Sequence, residues 1–498
     1  MRAQSLLPVA HLGHHLLGLS ARWGYHAGLI LVNFWKSMSH QTQSSILREL
    51  MVLAVPIIIS QGAYAFMIFT DRYFMAQLSA THISASMSGG VTAYVTLSLF
   101  MGMVAYANAL VAQYFGASEF HKCSRVVTQG LILTILVSPI LIILSFPLTG
   151  LFQLMGHSGE LVELETLYYQ VLIWGGVFSL AKAALSSFFS GIGRAWVVMV
   201  CDLTGVLLNI VLSYGLIFGH WGLPALGIAG AALGTVIATA CTLVLFLGFY
   251  LQKELQTTFS IATAWVFDKA IVAQYLRFGF PSGLEAFMNV VTFNLFLLMF
   301  QTYGVNEGAA MAIVFNWDLL SFISMVGLHI AVMSLSGRMV GSQLYDDLNK
   351  VIISGLGIAL SVTIIVAILF SVFRYQLVSV FDTGEASFSE IRELAVLMMV
   401  GLAIYVIADG LNLVASGVLR GAGDTRWLMV MSVSLHWLML IAQVMIIKVW
   451  QLGPMVSWWA FVSMLMCLAV AYLYRLKWGP WRDPERLARF ADRNTQTL

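Results

Sequence analysis

Charge is scarce in this sequence. Only 10% of its 498 residues are Asp, Glu, Lys or Arg, while 60% are hydrophobic; soluble domains carry roughly 25% charged and 45–50% apolar residues. So low a charge density excludes a soluble enzyme. A net charge of +2 gives no reason to expect a nucleic-acid partner. Cysteine is nearly absent too. Cys123, Cys201, Cys241 and Cys467 form no C-x-x-C pair and no spaced framework, which excludes a disulfide scaffold and a zinc site and leaves them as small packing residues. The sequence holds no G-x-x-x-x-G-K-[ST] stretch, so ATP does not drive the chain directly. Short segments of alternating polarity, the mark of a membrane β-barrel, are missing. Residues 1–45 lack a clean signal-peptide core and an obvious A-x-A cleavage site. They carry His11, His14, His15 and His26 and read as a cytoplasmic extension, with metal binding by the histidines as the alternative.

What remains is apolar and continuous. Runs of about 20 residues, long enough to cross a bilayer, recur throughout, and in hydrocarbon such runs must be helices because every backbone polar group needs an internal partner. Twelve spans are read at about 49–72, 85–113, 126–150, 166–190, 197–218, 228–250, 279–301, 310–337, 351–373, 394–418, 427–447 and 455–474. Placing both termini in the cytoplasm puts 20 of the 25 Lys and Arg residues on the inner side, the asymmetry that orients plasma-membrane proteins. Asp483 followed by Pro484 reads as the start of a short helix in the tail, its arginines near lipid head groups.

The spans repeat. Pro56, Gly102, Gly116 and Gly130 recur as Pro281, Gly327, Gly341 and Gly355 at a constant offset of 225, and Gly191 and Gly193 recur as Gly421 and Gly423 at an offset of 230. The expected fold is therefore an all-α polytopic membrane protein, twelve transmembrane helices in two six-helix bundles related by a pseudo-two-fold axis along the membrane normal. The units are an N-terminal extension (1–45), an N-lobe (46–251), a cytoplasmic inter-lobe loop (252–277), a C-lobe (278–475) and a cytoplasmic tail (476–498). Two lobes flanking a cleft are an architecture for transport by alternating access.

Ionisable residues within spans are costly and mark function by default. Asp71 lies in the outer half of span 1, either as a proton-exchanging carboxylate or as a helix-end acid paired with Arg72. Glu285 follows Pro281 by four residues and shares a helix face with Asn289. Asp409 has Tyr405 one turn earlier. Glu285 and Asp409, two buried acids in one lobe, can bind sodium through hard oxygen ligands or hold a proton, so a Na+ site at Glu285, Tyr405 and Asp409 is expected, unless each acid is met by neutral donors. Lys182 is expected to pair with Asp71 or Asp202, or to snorkel; Asp202 also suits a helix cap. Asp318, beside Trp317, together with Phe287 and Met288 reads as substrate-cavity lining. His329 and His436 read as satisfied core histidines.

In this order and on these spans the motifs resemble MATE transporters, the multidrug and toxic compound extrusion antiporters. They are Pro56 with Asp71, Val111-Ala-Gln-Tyr-Phe-Gly-Ala117, Ser190-Gly-Ile-Gly-Arg194, Asn209, Ile217-Phe-Gly219, Gly227-Ile-Ala-Gly-Ala-Ala-Leu-Gly-Thr235, Tyr405 with Asp409, and Arg420-Gly-Ala-Gly-Asp-Thr-Arg426. The resemblance implies a monomeric antiporter, without cofactor beyond Na+ or H+, that exports amphipathic and often cationic small molecules from the bilayer and cytoplasm. It implies coupling residues at Asp71 and Asn209 in the N-lobe, and at Tyr405 and Asp409 in the C-lobe. Two positions depart from the family pattern: Asn289 stands where many members have a helix 7 glutamate, and Ser213 where some have a second N-lobe aspartate. A lipid-linked oligosaccharide flippase of the same superfamily is the alternative reading; a membrane-embedded transferase is the alternative of another class.

Overall fold

The computed structural model describes residues 43–157, 159–382 and 388–483. The amino-terminal histidines, residues 1–42 of the extension expected over 1–45, and the helix expected to start at Asp483 lie outside the described residues or run beyond them, whereas residues 43–45 already belong to the first helix. Among the described residues, eleven helices are long and apolar enough to cross a membrane, and a bent pair makes the twelfth. They are α1 Gln43–Leu78, α2 Ala80–Gly116, α3 Phe120–Leu154, α4 in two halves (Glu160–Trp174 and Gly176–Gly191), α5 Ala195–Phe218, α6 Ile228–Tyr250, α7 Lys269–Gln301, α8 Val305–Gly341, α9 Tyr345–Val372, α10 Phe388–Gly421, α11 Thr425–Val449 and α12 Pro454–Arg482. The halves of α4 meet at 42°. Gly175 and Gly176 sit at the break, where Val236 of α6 and Leu97 of α2 leave no room for a side chain; kinks of this size have local causes of this kind.

The repeat in the sequence is a repeat in the backbone. Residues in the left-handed region recur at the same offsets: Ser118 and Gln343 (φ 61° and 58°), Gly193 and Gly423 (84° and 79°), Trp221 and Gln451 (58° and 51°). Each lobe also ties its fourth-to-fifth-helix turn, by an ion pair, to the chain at its last helix, in the first lobe to the short helix Lys253–Thr258 just after it and in the second to the end of the helix itself. In the first lobe this is Arg194 with Glu254, at 2.7 Å; in the second it is Asp424 with Arg475, at 2.7 Å, with the charges exchanged.

The lobes share a core at one end only. Here α1 contributes Ile46, Leu50, Leu53 and Ile57 to a cluster with Leu328, Leu335, Val351, Val418 and Tyr472 of the second lobe. This is the end that carries most of the Lys and Arg residues. At the opposite end each lobe has its own core: Phe296, Tyr405, Trp458 and Phe461 in the second, Phe74, Met75, Ile217 and Ala231 in the first. The crossing at the basic end is close. A Cβ on Gly116 would collide with the Arg338 carbonyl oxygen, and one on Gly341 with the Gln113 carbonyl oxygen. Those four residues are two repeat-related pairs, so the pseudo-two-fold axis passes through this contact.

Candidate functional site

In the first lobe, α1 brings Asp71 against α5 and α6. Asn209 and Ser213 are four apart and share one face of α5, and Thr235 lies near the start of α6. The Asp71 carboxyl faces the side chains of Ser213, Asn209 and Thr235 and is 8% exposed, while Asn209 and Ser213 are fully buried. Arg72 is exposed, so Asp71 is turned away from its sequence neighbour. Asn209 Nδ2 donates to Thr235 Oγ1 at 3.0 Å, and the Thr235 hydroxyl donates to the Ala231 carbonyl at 3.1 Å. Those bonds leave Asp71 Oδ1, Asn209 Oδ1 and Ser213 Oγ buried without hydrogen-bond partners. The carboxylate oxygen of Asp71 with the Asn209 amide oxygen and the Ser213 hydroxyl beside it forms an oxygen cluster suited to a proton or a small hard cation.

Further toward the basic end, Lys182 Nζ of α4 lies 3.0 Å from Asp202 Oδ1 of α5, and the Ser60 hydroxyl of α1 donates to the other Asp202 oxygen. Of the partners open to Lys182, Asp202 is the one it meets. The equivalent place in the second lobe is built with the groups exchanged. Glu285 stands where the offset of 225 places Ser60, and Ser432 where the offset of 230 places Asp202. Glu285 Oε2 accepts from Arg420 Nη2 at 3.0 Å, and the Tyr472 hydroxyl lies 3.5 Å from Oε1. One turn on, Asn289 and Ser432 exchange two hydrogen bonds, at 3.0 and 3.1 Å.

The expected sodium ligands are therefore divided. Tyr405 and Asp409 of α10 face Asp318 of α8, the charged group that acts on both. The charge acting on Glu285 is Arg420. A carboxylate in a low-dielectric interior is held most strongly by a guanidinium within reach, and Arg420, read in the sequence only as part of a motif, takes Glu285. Asp318, assigned to the substrate cavity, is thus grouped with the two α10 residues, and its backbone carbonyl accepts from Ser321 Oγ at 3.0 Å. Phe287 and Met288 are half-buried. Trp317 donates to the Leu377 carbonyl at 3.2 Å and meets the Phe381 ring edge-on, so its polar edge is engaged by the segment after α9. His329 and His436 bond the Leu413 and Ser432 carbonyls through Nδ1, at 2.7 and 2.8 Å. Thr235 was missed as a site residue; its signal was its place closing the Gly227–Thr235 motif. Among the described residues, no three His, Cys, Asp or Glu side chains converge as a metal cluster.

A model of the MatE family matches residues 56–215 and 281–444, one block in each lobe. The chain is 29% identical over 402 residues to the multidrug resistance protein PmpM of Pseudomonas aeruginosa, an alignment covering 78% of this chain and 82% of that protein. Its fold matches a MOP superfamily transporter from Pyrococcus furiosus with a TM-score of 0.79 at 20% identity, over 89% of this chain and 96% of the other. An outward-facing multidrug resistance MATE family transporter gives the same TM-score at 20% identity, over 90% and 99% of the two chains.

Proposed function

Because the chain belongs to the MatE family, and is thus a multi-pass membrane transporter and not an enzyme, we propose that it exports amphipathic, cationic drugs or metabolites by alternating access, in exchange for inward Na+ or H+. The observation that carries this reading is the oxygen cluster around Asp71. Among the described residues Asp71 is a buried carboxylate without a cationic partner, set among neutral oxygen-bearing side chains, and such a group can take up and release a proton or a small cation. Tyr405, Asp409 and Asp318 form a second acidic group, in the other lobe, that suits the same ion or the substrate's positive charge.

The distribution of charge supports a cationic substrate. Among the described residues Asp202 and Glu285 are matched by Lys182 and Arg420, while Asp71, Asp318 and Asp409 have no ion-pair partner. The spans thus carry an excess of acid, which attracts cations and repels anionic lipid-linked sugars. In this reading the protein acts as a monomer in the plasma membrane, the basic end is cytoplasmic, and ion and substrate compete because they favour opposite lobe arrangements.

The test is movement of a fluorescent cationic dye in proteoliposomes under a sodium gradient and a proton gradient imposed separately. The expected result is uphill dye movement under one gradient and none under the other. Dye movement under neither, from protein shown to be folded, overturns the reading and leaves the flippase.

A further inference from the structure

The lobes are joined at the basic end by side chains that neither acidic group uses. Arg338 of α8 is 5% exposed. Its Nη1 donates to Glu49 Oε1 of α1, in the other lobe, at 2.5 Å. Its guanidinium stands 5.1 Å from the centroid of the Phe115 ring on α2. Its Nη2 also fills the space beside Gly193 in the α4–α5 turn, 2.5 Å from where a Cβ would be. One C-lobe side chain thus touches three elements of the N-lobe. Neutral bonds cross the same seam: Gln113 Nε2 to the Gly421 carbonyl at 2.7 Å, the Tyr106 hydroxyl to the Arg420 carbonyl at 3.2 Å, the Ser334 hydroxyl to Asn108 Oδ1 at 2.8 Å, and Gln43 Nε2 to Ser354 Oγ at 2.7 Å.

The pair breaks the pseudo-symmetry. At the offset of 225, Arg338 corresponds to Gln113 and Glu49 to Gln274. The symmetric half of the crossing is therefore built from neutral amides, and this half from a full charge pair whose side chains are only 6% and 12% exposed. Neutral cross-seam bonds are replaced by water at little net cost when the seam opens. The ion pair differs, because opening this end would separate two charges that meet in a desolvated place. Such a contact biases a two-state equilibrium by its differential free energy alone.

We propose that the Arg338–Glu49 pair is the latch that holds the cleft shut at the basic end, and that it sets the resting population of the transporter in favour of the arrangement open at the opposite end. The proposal rests on the alternating-access reading above. Both are positioning residues: neither belongs to the acidic groups, and their effect reaches transport through which way the cleft opens.

The experiment measures lobe separation by electron–electron double resonance on the full chain in nanodiscs, with no substrate and no ion gradient. Spin labels go on cysteines at Leu154 and Val305, which are 84% and 89% exposed at the end opposite the basic one and lie in different lobes, with Cys241 and Cys467 replaced by serine. The unmodified pair is expected to give one long-distance population. In Glu49→Gln a shorter-distance population becomes the larger one. Arg338→Gln and the double variant give the same shift, because each removes the same contact. Glu49→Asp keeps the charge on a shorter arm and gives a smaller shift in the same direction; it carries the test if the Gln variant is not monodisperse. Unchanged distances in the single variants, or a double variant whose shift is the sum of the two, overturn the proposal. Since no transport is read, failure of the antiport reading leaves this result standing.

Discussion

A carboxylate inside a helical bundle has three ways to exist: paired with a cation, held by neutral donors, or protonated. This protein uses different ones at different sites, and under the proposed antiport the choice would separate structure from exchange. Glu285 is clamped by Arg420. Glu285→Gln leaves that guanidinium buried and unmatched, a change that costs about 3–5 kcal/mol when one member of a buried pair is removed. A clear fall in the melting temperature of the detergent-solubilised protein is expected. Asp71 loses no ionic partner in Asp71→Asn, so its stability is expected to stay within about 1 kcal/mol of the parent while gradient-driven transport is lost. Equal destabilisation of the two variants would contradict this division. The sequence places each of these acids on its span, singles out Asp71, Asn209, Tyr405 and Asp409 as candidates, and offers Asp202 to Lys182. It does not yield the partners of Glu285 and Asp409. Glu285 with Arg420 and Asp318 with Asp409 are each on different helices, so their meeting depends on helix rotation and packing, which spacing along one helix does not encode.

At the scale of elements, the repeat was readable because glycine and proline mark backbone requirements that both lobes share. The crossing of α2 and α8 tests this. Gly116→Ala or Gly341→Ala pushes a methyl group into the opposing carbonyl, and overpacking of this kind costs roughly 1–3 kcal/mol. Gly248, also in a helix, has nothing within 4 Å of where its Cβ would stand. Gly248→Ala is expected to be neutral or stabilising by up to about 1 kcal/mol, and thermal melts of the three variants check the contrast. All twelve spans were legible from continuous apolarity, but their ends were not. The eighth was read as 310–337 and runs Val305–Gly341, because a helix continues past the hydrocarbon into residues that apolarity no longer marks. The bend in α4 was also hidden. Gly175 and Gly176 are visible in the sequence, but the crowding by Val236 and Leu97 that makes them a break is tertiary.

For the whole molecule, two separate cores at one end and one shared core at the other describe a cleft that is closed at its basic end. Lobe pairing of this kind was expected from the repeat; which end is closed was not, because the two arrangements of an alternating-access protein share one sequence and differ by a few kcal/mol at the lobe seam. The antiport account makes a reciprocal demand. If an ion gradient drives substrate, a substrate gradient must drive the ion. The direct measurement loads proteoliposomes with a cationic dye, imposes no ion gradient, and follows internal sodium and pH as the dye leaves. The account predicts that outward dye flow drives inward movement of one of the two ions, and that Asp71→Asn abolishes that movement. Dye leaving with no counter-ion flux, or flux in Asp71→Asn equal to the parent's, would contradict it.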